Sequence, residues 1–173
     1  MVLKKVVDFM RSDRQEFLRE LNQFLGEASK ATYAGGMVGT VENGYTTLTH
    51  RNGDWSYQDR YAGWFRSWGT ETIFYKGKQV WVQNYGGGME AQYTQDADFA
   101  RETFEFLKNA LKSGEKAGQF QPRGQKFFKE GDWEYHSSLN GDISRFIGSE
   151  EIIYKGKKVF FHDFVGGLVI PKK

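Results

Sequence analysis

Residues 69–87, GTETIFYKGKQVWVQNYGG, return as residues 148–167, GSEEIIYKGKKVFFHDFVGG. Within that match IFYKGKQV at 73–80 and IIYKGKKV at 152–159 lie 79 positions apart. Upstream, GDWSY at 53–57 returns as GDWEY at 131–135, 78 positions on. Gly63, Gly69 and Glu71 correspond to Gly141, Gly148 and Glu150, so one residue is inserted in the second copy. Downstream, Trp81 corresponds to Phe160, Tyr85 to Phe164, and Gly87–Gly88 to Gly166–Gly167. Motifs that recur in order at nearly constant spacing mark an internal duplication. Two copies are too few for a solenoid, so the expectation is two halves of one domain.

Each copy reads as a helix followed by strands. Phe17, Leu21, Phe24, Leu25 and Ala28 recur at helical spacing, with Ser12 and Gln15 as a capping box and Gly35–Gly36 as a stop. Phe99, Thr103, Phe106, Leu107 and Ala110 form the second stripe, with Asp96 as N-cap and Gly114 as C-cap. In 55–61, alternation puts Trp55, Tyr57, Asp59 and Tyr61 on one face and Ser56, Gln58 and Arg60 on the other. The matching strand puts Trp133, Tyr135, Ser137 and Leu139 together. Lys76–Gly77 and Lys155–Gly156 read as hairpin turns, the first between strands near 69–75 and 79–85. Further strands are expected over 38–49 and 124–130. Residues 1–11 add a short amphipathic helix through Leu3, Val6, Val7 and Met10. The predicted fold is α+β: internally duplicated helix-plus-four-strand units forming a large twisted antiparallel sheet packed by two main helices. Its halves are 12–90 and 94–170 within a single domain, 1–173.

Composition limits the function. The chain has no cysteine among its 173 residues, which excludes disulfide scaffolds, thiolate metal sites and thiol chemistry. Lys plus Arg number 24 against 22 Asp plus Glu, and the pI near 8.6 falls short of a nucleic-acid footprint. The basic clusters Lys155–Lys158 and Lys172–Lys173 are small and read as a hairpin turn and a tail. No segment has the run of ~18 apolar residues that spans a bilayer, and the N-terminus does not read as a secretory signal. A soluble cytoplasmic protein is expected, with neither membrane nor direct nucleic-acid contact.

The repeated motifs, together with LNQFLGEASKATYA at 21–34 and GDWSYQDRYAG at 53–63, resemble a family of bacterial and archaeal domains of unknown function, number 5680 in that series. The resemblance covers roughly residues 21–167. Such domains occur alone or on the C-terminal side of Xre-type helix-turn-helix modules, and that company implies a sensing role. Residues 1–20 are too few for the several helices of a helix-turn-helix unit, so DNA binding is not carried over.

Motifs of chemistry are sparse. No GxSxG, HExxH, GxxxxGK[ST] or GxGxxG occurs. His50, His136 and His162 lack local ligand spacing, and no metal or cofactor is expected. Glu71, Glu150 and Glu151 occupy matching places in the two copies; with Asp59, Asp142 and Asp163 they are the candidates for a carboxylate hydrolase. The alternative for the glutamates is cross-strand ion pairing. A second constellation carries the leading expectation. Asp59 shares a face with aromatics, and Asn84 shares one with Val80 and Val82. Polar groups on apolar faces need partners, either internal or supplied by a ligand. The expected site has walls of Tyr57, Tyr61, Trp81 and Tyr85 and anchors Asp59, Asn84, Glu71 and Arg60. It belongs to a non-enzymatic small-molecule binding or sensor module. The rival to both is a protein-interaction module, a homodimer included, that uses an exposed apolar patch around Trp64, Phe65 and Trp68 or along Leu3, Val6, Val7 and Met10.

Overall fold

The two Lys-Gly dipeptides turn the chain back on itself with both residues left-handed: φ is 50° and 75° at Lys76–Gly77, and 48° and 76° at Lys155–Gly156. Two-residue hairpins require this geometry to keep the native strand twist. Asn43–Gly44 adopts it too, at 50° and 79°. That third turn splits the strand expected over 38–49 in two, so the first half has five strands to the second half's four.

The computed structural model describes residues 2–32, 36–113 and 119–170, with side chains from Asp13 onward. The side chains of Leu3, Val6, Val7 and Met10, along with Gly35, Gly114 and Lys172–Lys173, lie outside the described residues. Helix α1 spans Val2–Ala31 and α2 spans Ala97–Ser113. The first-half strands are β1 (Thr40–Glu42), β2 (Tyr45–Asn52), β3 (Trp55–Gly63), β4 (Arg66–Tyr75) and β5 (Lys78–Met89). The second-half strands are β6 (Phe127–Glu130), β7 (Trp133–Asp142), β8 (Arg145–Tyr154) and β9 (Lys157–Leu168). The separate N-terminal helix expected over 1–11 is instead continuous with α1. Ser12 therefore lies inside the helix and not at its start. Asp96 does cap α2: its Oδ1 accepts from the Phe99 N–H at 3.0 Å.

All strand pairs are antiparallel, in the order β1-β2-β3-β4-β5-β9-β8-β7-β6. The halves join through β5 and β9. There Tyr85 pairs with Phe164, Trp81 with Leu168, and Met89 with Phe160. Tyr85 and Phe164 are 79 positions apart, as are Trp81 and Phe160, and Met89 and Leu168. Exchanging the halves thus maps this register onto itself, and a pseudo-twofold axis passes through the Tyr85–Phe164 pair.

Both helices lie on one face of the sheet. Leu21, Phe24, Leu25 and Ala28 of α1 pack on Tyr57, Ile73 and Trp81. Ala100, Phe106, Leu107 and Ala110 of α2 pack on Tyr135, Ile152, Val159 and Phe160. Aromatic clamps recur: Phe17 lies 5.5 Å from Trp55, and Phe99 5.6 Å from Trp133, ring centre to ring centre. Each large side chain buried here is worth about 1.5–3 kcal/mol. The two cores are laced together, because the Trp81 indole N–H donates to the Ile143 carbonyl at 3.0 Å. Between them runs a strip of sheet that neither helix covers with apolar side chains.

A register shift beside Ile73 leaves Val80 without a cross-strand partner, and the equivalent shift beside Ile152 does the same for Val159. Each is a β-bulge, which reverses the inward and outward alternation beyond it. Among the described residues no helix is long and apolar enough to cross a membrane.

Candidate functional site

The strip between the two cores is polar. Cross-strand register lays Asp59 beside Glu71 and Glu71 beside Gln83, all on the helix-covered face. On the other side of the pseudo-axis Ser137 lies beside Glu150 and Glu150 beside His162. These two rows correspond residue for residue. All but Ser137 are buried, with Gln83 at 0% and Glu150 at 2% exposure. The row dividing them holds Tyr85 and Phe164, whose rings lie over Gly69 and Gly148. A Cβ on Gly69 would sit 2.6 Å from the Tyr85 ring, and one on Gly148 would sit 2.4 Å from Phe164. Only glycine lets an aromatic ring lie flat across the neighbouring strand there. This is why Gly precedes the Thr-Glu and Ser-Glu of the repeat.

The second half is wired around Glu150. Arg123, from the segment between α2 and β6, donates through Nε and Nη2 to Glu150 Oε1 at 3.0 and 2.6 Å. The Tyr135 hydroxyl donates to Glu150 Oε2 at 2.6 Å and accepts from the Gly124 N–H at 3.1 Å. His162 Nδ1 lies 3.1 Å from Glu150 Oε1. Burial works against the charge on Glu150, but Arg123 and His162 outweigh it and hold its carboxyl down at about 2. Burial lowers the His162 pKa, so its ring is neutral at neutral pH. An ionised carboxylate only accepts, so Nδ1 carries the proton and Nε2 is left as a bare acceptor.

The first half is wired differently. The Tyr85 hydroxyl donates to Asp59 Oδ1 at 2.9 Å, and Tyr57 shares the covered face with Asp59 and Glu71. Burial, against the pull of Tyr85 and Arg123, raises Asp59 to about 6. Burial and the nearby Asp59 charge raise Glu71 to about 8, so Glu71 keeps its proton at neutral pH. Among the described residues three buried side-chain atoms have no partner: Gln83 Nε2, Gln83 Oε1 and His162 Nε2. They belong to corresponding residues of the two rows. The second row touches the dividing row, since the Tyr85 ring lies 5.7 Å from the His162 ring.

Tyr57, Asp59, Tyr61, Glu71 and Tyr85 thus come together on the covered face. Trp81 lies on the same face but is sealed in the first core. Asn84 and Arg60 are on the opposite, uncovered face. Asn84 accepts from Thr70 Oγ1 at 2.9 Å, and the Arg60 guanidinium lies 4.0 Å over the Tyr45 ring. Asn84 had been aligned with Val80, the bulge residue, and the alternation reverses there. Of the other carboxylates, Asp142 bonds Ser144 in a turn, and Asp163 is exposed on the uncovered face. Trp64 and Trp68 are exposed at 47% and 66%, while Phe65 packs on the second core. Sequence reasoning missed Gln83 and Arg123. Gln83 was legible in the 81, 83, 85 alternation, whereas Arg123 lies outside the repeat and carries no pattern. Among the described residues no three His, Asp or Glu side chains are grouped to hold a metal ion.

The fold and site define a class: a two-helix α+β domain with a mixed-charge polar strip buried between two corresponding cores. Residues 59–169 match the family described as a domain of unknown function, DUF5680, and the chain belongs to it. The match begins at Asp59, so α1 and the GDWSY motif lie outside it. No curated protein and no solved structure matches the chain.

Proposed function

We propose that this domain is a non-enzymatic small-molecule binding or sensor module whose ligand contacts the buried polar strip. One observation carries the reading: Gln83 is wholly buried and both atoms of its amide lack a partner. An unpaired buried polar group costs about 1–3 kcal/mol. A chain that keeps an amide there, in one row with the two carboxyls Glu71 and Asp59, has acceptors and donors arranged for something it does not itself supply. The tyrosines around them supply the apolar walls usual in small-molecule sites.

The test is a thermal-shift screen of small metabolites against the wild-type chain and Gln83→Met. The variant removes the unpaired amide at similar volume, so the free chain should melt higher. Compounds that stabilise the wild type should lose their effect on the variant. Should no compound stabilise the wild type, with Gln83→Met melting no higher, the reading fails. Carboxylate hydrolysis is the second reading, favoured by the separation of proton affinities among Glu71, Asp59 and Glu150. It expects turnover that Glu71→Gln abolishes.

A further inference from the structure

The two rows of the strip differ in a way the fold does not require. Glu150 has a cation bonded to it, and Tyr135 bonds its other oxygen. Glu71 occupies the corresponding place, with Tyr57 where the second half has Tyr135. Yet among the described residues no cationic side chain forms an ion pair with Glu71; Arg123 acts on it only through space. The reason lies in the chain path. The segment after α2 crosses onto the strip and delivers Arg123, whereas the chain after α1 goes on to β1 at the edge of the sheet. The first row also holds one more carboxyl, with Asp59 where the second has Ser137.

We infer that the Asp59–Glu71–Gln83 row receives the guanidinium or protonated amine of a small molecule, seated beside Glu71 as Arg123 is seated beside Glu150. The inference rests on reading the strip as a ligand site. Counting donors and acceptors supports it. Asp59, Glu71 and Gln83 Oε1 offer lone pairs, and a guanidinium offers N–H donors in a planar fork suited to carboxylates, while the Gln83 Nε2 donor is left for an acceptor elsewhere on the same molecule. Tyr57, Tyr61 and Tyr85 line the same face and can hold a cation over their rings. The charged and titratable groups facing Glu71 are Asp59 and Tyr57 from β3, Tyr85 from β5, Arg123 from the crossing segment and Glu150 from β8. The buried side chains of α1 and α2 belong to the two cores beside the strip and are apolar, apart from Thr103 of α2. A bound cation replaces the proton that Glu71 holds, so binding releases a proton and tightens as pH rises toward about 8.

The experiment uses the full chain with butylguanidinium chloride and butylammonium chloride, against butylurea as a neutral comparator and sodium chloride as a salt control. Calorimetry is run at pH 5.5 and pH 8 in buffers of different ionisation enthalpy. Both organic cations should bind, more tightly at pH 8 by roughly tenfold per pH unit where Glu71 is protonated in the free chain. Proton release should appear as a buffer-dependent heat. Glu71→Gln and Asp59→Asn, each confirmed as folded by circular dichroism, should each weaken binding at least about tenfold. Equal binding of butylurea, or cation binding that Glu71→Gln leaves unchanged, overturns this inference while the strip remains a ligand site. If none of the probes binds and the library screen finds no stabilising compound either, the broader reading fails with it.

Discussion

Glu71→Gln is the most informative single change, because the fold itself works against the carboxylate it replaces. Glu71 ionises near 4.5 in an exposed setting and at about 8 in the folded chain. Each tenfold difference in proton affinity is worth about 1.4 kcal/mol, so a fully ionised Glu71 lowers folding stability by about 5 kcal/mol. The penalty is absent below pH 4.5, where Glu71 is protonated folded and unfolded. It grows as the unfolded chain loses the proton that the folded chain keeps, and levels off above pH 8. Asp59, raised from 3.8 to about 6, adds a penalty of the same sign between those values. Glu150 acts oppositely: its depressed pKa gives stability present above 4.5 and lost as pH falls toward about 2. The wild type should therefore be most stable near pH 4–5 and lose several kcal/mol by pH 8.5. Glu71→Gln keeps a hydrogen-bonding side chain beside Tyr57 and takes a like charge away from Asp59. Its stability should match the wild type near pH 4.5 and exceed it increasingly toward pH 8.5. Urea unfolding, followed by the fluorescence of the five tryptophans at several pH values, measures both curves. Parallel curves, or a variant less stable than wild type at pH 8.5, would refute the argument that Glu71 is held protonated by burial and Asp59.

Arg123→Met should destabilise the fold by about 3–5 kcal/mol at neutral pH, because it leaves Glu150 buried without its cation; urea unfolding that shows under 1 kcal/mol would count against the ion pair as drawn. Gly69→Ala should cost about 1–3 kcal/mol by driving a methyl into the Tyr85 ring and Tyr61 Cβ, and Gly148→Ala a similar amount against Phe164. Chemical shifts at Asp59 should move in the Gly69 variant and stay put in the Gly148 variant, since only Tyr85 donates to Asp59.

The fold could be read from the repeat because its anchors are backbone requirements. Lys-Gly turns need left-handed residues, Gly69 and Gly148 make room for rings, and the Trp55 and Trp133 strands alternate cleanly. Where local signals misled, a turn or a bulge intervened. Asn43–Gly44 cut one expected strand in two, and Val80 reversed the face on which Asn84 was placed. The site was half legible. Asp59, Glu71, Tyr57 and Tyr85 lie on strands whose alternation aims them at the helices. Arg123 reaches Glu150 from a segment with no counterpart in the first half, across 27 positions of chain. Nothing periodic announces such a residue, because its position is set by where the loop lands.

That asymmetry bears on how the two-core body is organised. The residues that hold each half together correspond closely: Phe24 and Phe106 on the helices, Tyr57 and Tyr135, Ile73 and Ile152 on the strands. The residues of the strip diverge, with Asp59 against Ser137 and Gln83 against His162. A strip serving only to join the halves would be simplest as an apolar seam, since apolar replacements for buried charges are often at least as stable. Instead one row is neutralised by Arg123, while the other holds its charge in check by keeping a proton. The second row pairs its carboxylate internally and leaves His162 Nε2 unpaired, whereas the first leaves both atoms of the Gln83 amide unpaired. The first is the row with unmet demand. A ligand that supplies positive charge there removes a penalty the free fold carries above pH 4.5, which couples occupancy of the site directly to the stability of the sheet between the two helices.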